Sequence, residues 1–402
     1  MLARRTHLFT NSGTARARAA AKAAAEAGRD VVDLTTGEIW SPLPPAVRDG
    51  AIAAIERGIN RYTDTLGLAE LRAALAHKLH VETQQAWRPD EIAVTSGAKQ
   101  ALFNAAMILI DPGDEVVIPS PYWTTFPAQV LIAGGTPVFV ETRHRAFIPS
   151  IDDIERSLTS RTRALVVNTP NNPTGAVYPG ELLAQIAELA IARDFWIIFD
   201  ECYSSFVYES HVHHPIVSLV PEVRSRTLVV NAFSKALALT GWRIGYLAGS
   251  KEAIDAVRAL QSHTTSNPNV IAQHAVLEHL RRNDASFESG LRSDLAAARR
   301  IGLEKLKRIP GIPTPRADGG FYFYLDVTSL LRTDGADPAP TIDDIVGRLV
   351  TEAGVAGVAG SAFGDPGGLR ISYGGPRESF ELGLDRLISA FETWDAAADL
   401  VM

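Results

Sequence analysis

From about Ala46 onward, the apolar positions of this chain fall into two alternating rhythms. Stretches such as AVRDGAIAAIERG, GLAELRAALAHKLH, AKQALFNAAMILI, IDDIERSLT and GELLAQIAELAIARD space their apolar residues three and four apart, as one face of a helix requires. Between them stand short runs that are apolar almost throughout: EIAVTSG, DEVVIPS, TPVFVE, ALVVNTP, FWIIFDE, RTLVVNAF and IGYLAGS. A strand that is apolar on both faces is buried on both. The alternation therefore predicts an α/β fold whose large domain has a mostly parallel sheet covered by helices. Ligands of such sheets gather beyond the carboxyl ends of the strands. The polar motifs TSGAK, NTPNNPTG, DECYS and NAFSK fall at those ends, so a site is expected there before any residue has a role.

The flanks read differently. An arm over residues 1–45 holds the alanine-rich helical stretch TARARAAAKAAAEAGRD closed by Gly28, then the strand-like VVDLTTG and the proline-rich WSPLPP, which cannot be regular helix. Further helices are expected around KEAIDAVRALQ, NVIAQHAVLEHL and SDLAAARRIGLEKLKRI. A last α+β portion contains GGFYFYLDV, TIDDIVGRLVTEAG and GLRISYG, and a helix runs from Arg377. The expected division is a large domain over residues 46–280 and a smaller α+β domain over 281–402 that also takes in the arm.

Composition narrows the class. At 402 residues, 46% hydrophobic and 21% charged, the chain has material for a sizeable core. A formal net charge of -7 with no basic cluster beyond MLARR argues against a nucleic-acid surface. The single cysteine, Cys202, excludes an intrachain disulfide and reads as a small buried thiol. No apolar run is long enough to span a membrane, and MLARRTHLFTNSG lacks the apolar core of a signal peptide, so a soluble cytoplasmic protein is expected. The run HVHH, with His211, His213 and His214, lacks partners at metal-ligand spacing and reads as a solvated loop, so no metal is expected.

The chemistry centres on NAFSKALALTGWRIG, residues 231–245, where Lys235 follows a β-rich run and Arg243 stands in a glycine-bracketed GWRIG. Burial of that lysine would lower its pKa and free a neutral amine to attack a carbonyl. Arg243 offers a planar fork of donors to an anion such as a phosphate. Read alone, the two residues serve equally as a surface lysine at a strand end and an arginine in an ion pair.

SKALALTGWRIGY resembles the lysine segment of class I, fold-type I aminotransferases dependent on pyridoxal phosphate, and is similar to the bacterial aspartate/prephenate/aromatic group. The resemblance runs from about Ser12 to the region of Tyr373. It implies that Lys235 is the catalytic Schiff-base lysine and proton shuttle, with Ser234 and Arg243 on the phosphate of pyridoxal 5'-phosphate. Asp200 partners the protonated ring nitrogen, an aspartate capping the next helix being the plain alternative. Tyr203 and Asn172, the latter in the tight turn NNPTG, bond the ring oxygen. Gly97, Ala98 and Lys99 give backbone contacts to the phosphate at a helix N-terminus, and the Lys99 side chain faces a distal carboxylate of the substrate. Trp123, in SPYWTTF, stacks on the cofactor ring and borders the substrate with Asn172. Arg370, in GLRISYG, takes the substrate α-carboxylate with help from the backbone of Gly37, although an arginine paired to a structural acid is the plain alternative. Tyr62, in RYTDTLG, matches a tyrosine that reaches the phosphate of the neighbouring subunit, which implies a homodimer with shared sites.

The activity so implied is transfer of an α-amino group from an L-amino acid to a 2-oxo acid by way of pyridoxamine phosphate. A second reading keeps the cofactor but changes the reaction to β-lyase, decarboxylase or amino-acid-oxidase-like chemistry. A remote third is a non-catalytic pyridoxal-phosphate-binding regulator, which would carry a DNA-binding segment for which the arm, starting near residue 12, leaves no room. The chain departs from the subgroup in reading GEIWS and TDTLG, which puts Trp40 and Asp64 near the expected mouth of the site, while Ser12 and Thr14 fit its substrate-side pattern. The donor stays open among dicarboxylic, aromatic and basic amino acids.

Overall fold

The strands of the computed structural model, which describes residues 2–8, 12–331 and 340–399, form where the apolar runs lie. In chain order they are β1 (Val32–Asp33), β2 (Ile92–Thr95), β3 (Glu115–Ser120), β4 (Thr136–Glu141), β5 (Thr162–Asn168), β6 (Trp196–Asp200), β7 (Thr227–Ala232) and β8 (Gly245–Ala248). β9 (Tyr322–Asp326), β10 (Val355–Ala356), β11 (Val358–Ala359) and β12 (Gly368–Ser372) follow. The large sheet has the order β2-β8-β7-β6-β5-β3-β4. All its pairings are parallel except those of β8, which runs against both β2 and β7. The mostly parallel, helix-covered sheet is thus the one the alternation predicted.

Two-sided burial explains the unbroken apolar runs. Along β6, Ile197 and Phe199 enter the core on one face, where the helix Gly180–Arg193 packs, while Ile198 enters the core on the other, beside the helix Ala98–Leu109. In β7, Val229 likewise faces one layer, and Leu228 and Val230 face the other. Each fully buried side chain of this size contributes about 1.5–3 kcal/mol. A polar residue on either face would lose that and add a desolvation cost.

Register then gathers the motifs. Asn168 pairs with Asp200, and Asp200 with Val230, so β5, β6 and β7 end level with one another. Because β2 opposes β8 and β8 opposes β7, β2 ends on that same edge. TSGAK, NTPNNPTG, DECYS and NAFSK all emerge there, and the short helix Phe233–Ala236 that leaves β7 carries Ser234 and Lys235.

A second core surrounds the sheet β11-β12-β9. The arm joins it: β1 pairs in parallel with β10, and Val32, Leu34 and Ile39 pack with Phe323, Ile371 and Leu384. The alanine-rich helix spans Gly13–Glu26, with the Ser12 hydroxyl accepting from the Ala15 amide at 3.3 Å. The expected strand VVDLTTG stops after two residues because Asp33 turns the chain, its Oδ1 accepting from the Thr35 amide at 2.8 Å and hydroxyl at 2.6 Å. Among the described residues, the helices Thr125–Ala133 and Ile216–Leu219 escaped the sequence reading. Among the described residues no helix is long and apolar enough to cross a membrane.

Candidate active site

A cleft of about 590 Å³ opens over the common strand edge, between the two cores. Its wall includes Ala98, Lys99, Trp123, Asn172, Asp200, Tyr203, Ser234, Lys235, Arg243, Gly37 and Arg370, residues that the sequence placed together. Lys235 is half-buried, and its amine donates to the Gly37 carbonyl.

Asp200 forms the floor. It is buried at the end of β6, its Oδ1 accepts from the Cys202 amide at 3.1 Å, and among the described residues it joins no ion pair. Burial pushes its carboxyl up to about 6, against the lowering effect of the hydrogen bonds from Cys202. A buried acid in that condition suits a cationic ring N–H.

Beside it runs a connected set of donors and acceptors. The Asn172 amide donates to Asn168 Oδ1 at 2.9 Å, and Asn172 Nδ2 donates to the Tyr203 hydroxyl at 3.4 Å. The Tyr203 and Tyr322 hydroxyls lie 3.2 Å apart. Arg370 is only 2% exposed, and its Nη1 and Nη2 donate to Asn172 Oδ1 and the Thr35 carbonyl, each at 2.9 Å. Its Nε has no partner and no carboxylate pairs with it among the described residues, so the structural-acid alternative does not hold. Burial lowers its pKa. A guanidinium held in this way is completed by an anion.

The opposite end is built for a second anion. Gly97 sits at φ +78° where β2 passes into the helix Ala98–Leu109, and a Cβ there would lie 2.8 Å from Arg243 Nη2. Arg243 is exposed and bonds only carbonyls among the described residues, those of Thr240 at 2.9 Å and Ser96 at 3.3 Å. Backbone donors at a helix start, facing an arginine without a carboxylate, have the chemistry that a phosphate requires. Floor, donors and cations together fit a phosphorylated pyridine cofactor. Across the cleft the Lys99 amine lies 5.0 Å from the Trp123 ring centroid. The cleft walls desolvate it, and with the charge of Arg243 this lowers its pKa.

Some expectations need correction. Asp64 does not line the cleft; its carboxylate takes Arg258 Nη1 at 2.8 and 2.9 Å and the Leu66 amide at 2.8 Å. Trp40 is likewise absent from the cleft wall and is 77% exposed, whereas Tyr62, expected at the phosphate of a neighbouring subunit, is 89% exposed. The HVHH run is not a solvated loop throughout. The His213 side chain is only 11% exposed, with Nε2 2.9 Å from Glu201 Oε2, because that buried carboxylate at the sheet edge requires a partner. Cys202 is part-exposed and lines the cleft, its thiol pushed up by burial and by the charge of Asp200. Sequence reasoning missed Tyr322, Arg18 and Glu38, which also line it. Among the described residues no group of side chains has the arrangement of a metal site.

This fold and cleft define a class of enzymes. Over residues 29–387 the chain matches the family model of aminotransferase class I and II, and it belongs to that family. More particularly, it is 41% identical to the aspartate/prephenate aminotransferase of Thermus thermophilus over 388 residues, 96% of this chain and 97% of that one. It is 38% identical to the probable aspartate/prephenate aminotransferase of Aquifex aeolicus over 393 residues, 97% of this chain and 98% of that one. The solved aspartate aminotransferase of Thermus thermophilus with maleate superposes with a TM-score of 0.91 at 39% identity, covering 97% of this chain and 99% of the other. The chain is a pyridoxal-phosphate-dependent transaminase that acts on an amino acid and a 2-oxo acid, as the resemblance implied.

Proposed function

We propose that Lys235 is the Schiff-base lysine and the proton shuttle of this transaminase, and that a dicarboxylic amino acid such as aspartate is its donor. One observation carries the first part: the Lys235 amine shares a cleft with a buried acid and a buried arginine, neither of which has a counter-ion among the described residues. Pyridoxal phosphate supplies there an electron-withdrawing ring that acidifies the α-carbon of an attached amino acid. Asp200 holds the charge on the ring nitrogen. Asn172 and Tyr203 hydrogen-bond the ring oxygen, and Trp123 covers the ring face and borders the substrate. The Gly97, Ala98 and Lys99 amides, Ser234 and Arg243 hold the phosphate. Arg370, with the Gly37 backbone, orients the α-carboxylate, and its fork fixes which bond of the α-carbon faces the lysine. Lys235 Nζ then takes the α-proton and returns it one atom away, as a mobile amine with a single proton in hand is suited to do.

The dicarboxylic donor is supported by the names of the relatives, by the maleate in the related Thermus structure, and by Lys99, a cation on the cleft wall without an ion-pair partner among the described residues. The exposed Tyr62 supports a homodimer in which each copy completes the other's phosphate site. The two cores support a large domain over residues 46–280 and a small one over 281–402 with the arm of 1–45. The lone cysteine and the want of a membrane-crossing helix among the described residues support a cytoplasmic setting.

Lys235→Ala tests the assignment. Turnover of L-aspartate with 2-oxoglutarate is expected to vanish together with the visible absorbance of the bound cofactor. A variant that keeps both contradicts it.

A further inference from the structure

The charges lining the cleft do not balance. Its cations are Arg18, Lys99, Lys235, Arg243 and Arg370, and its acids are Glu38 and Asp200. A phosphate answers Arg243, an α-carboxylate answers Arg370, and Asp200 answers a ring cation. With Lys235 as the reacting amine, Lys99 and Arg18 are the cations left over, and Glu38 is the one acid left over. The helix Gly13–Glu26 turns Thr14, Ala15 and Arg18 to the cleft, the last one helical turn from the first. Arg18 Nη1 lies 3.1 Å from Glu38 Oε1, and Glu38 directly follows Gly37, whose carbonyl receives the Lys235 amine. The side chains of the pair are 59% and 49% exposed, so the bond is weak and its partners are open to exchange.

We propose that Arg18 is a specificity-determining residue that leaves Glu38 for the distal carboxylate of a dicarboxylic substrate, while Glu38 selects against that carboxylate wherever Arg18 is missing. The inference rests on the reading of this cleft as the transamination site. An arginine meets a carboxylate with two parallel donors, a geometry that Lys99 lacks. Exchange also ties the N-terminal helix to the bound substrate, because Arg18 is carried by that helix. Without Arg18, the uncompensated Glu38 repels a second carboxylate and favours neutral or basic donors. Without Glu38, Arg18 needs no release before it binds.

The test measures maleate binding to the holoenzyme by calorimetry and steady-state kinetics with L-aspartate and L-phenylalanine. Arg18→Met is expected to weaken maleate about ten-fold and raise KM for L-aspartate by a similar factor, with a smaller effect on kcat, so that the preference for L-aspartate over L-phenylalanine falls. Glu38→Gln is expected to move both quantities the other way, which keeps the test available if the first variant fails to fold. If the wild-type holoenzyme binds maleate and prefers L-aspartate, but neither variant alters that preference, the role of Arg18 is overturned and the dicarboxylate reading stands. If the wild type neither binds maleate nor uses L-aspartate, both fall.

Discussion

Asp200 carries the cost of a buried carboxylate. Its carboxyl is pushed up to about 6 from an ordinary 3.8, so between those values the folded apoprotein holds a proton that the unfolded chain has released. The contribution to stability is therefore complete below pH 4 and is lost as pH rises through 6. Asp200→Asn is expected to flatten that part of the pH profile and to stabilise the apoprotein at pH 8 by up to about 3 kcal/mol, read by urea unfolding. The same variant is expected to bind the cofactor less tightly, since the ring cation loses its partner. A wild-type apoprotein that gains stability between pH 4 and 7 relative to this variant would contradict the account. At this scale legibility was uneven. Lys235, Asp200 and Arg370 stood in recognisable motifs, and the structure brings them to one cleft. The pairing of Asp64 with Arg258 was not legible, because the two are remote in sequence and nothing local announces the pair. Tyr322 was missed because GGFYFYLDV is aromatic on both faces, so alternation alone does not separate the residue that faces the cleft from those that fill the core.

The elements were easier to read than the side chains. Strands with both faces buried leave a run of Val, Ile, Leu and Phe that no half-exposed strand would carry, and that signal located the large sheet. The helix Thr125–Ala133 gave no such signal, because Pro127 falls in its first turn, where proline is tolerated, and its apolar residues show no clear polar face. The turn into the helix Ala98–Leu109 carries a prediction of its own. Gly97 holds φ +78° with Arg243 against the site of a Cβ, so Gly97→Ala meets both a disfavoured backbone and a displaced guanidinium. Affinity for the cofactor is expected to fall about ten-fold or more, measured by equilibrium dialysis of the holoenzyme, since backbone donors and cation are both disturbed. Unchanged affinity would remove this turn from the phosphate site.

Across the whole molecule, the arm and the C-terminal portion build one core together, since β1 pairs with β10 and Leu34 packs near the final helix. The cleft thus lies between two bodies that share it. Sequence showed a change from βα alternation to a later α+β portion, but not the pairing of β1 with β10, which has no local signature. Tyr62 belongs to this scale because it is exposed and does not line its own cleft. Tyr62→Ala is expected to leave the fold of the single subunit intact by circular dichroism, yet to weaken the cofactor at protein concentrations where sedimentation shows a dimer. Equal cofactor affinity in dimeric wild type and dimeric variant would place the tyrosine outside the site.

The most direct measurement is borohydride reduction of the holoenzyme followed by peptide mapping. The label is expected on the peptide that contains Lys235 and on no other lysine. A label on Lys99 or elsewhere, or no label at all, would contradict the assignment of the reacting amine.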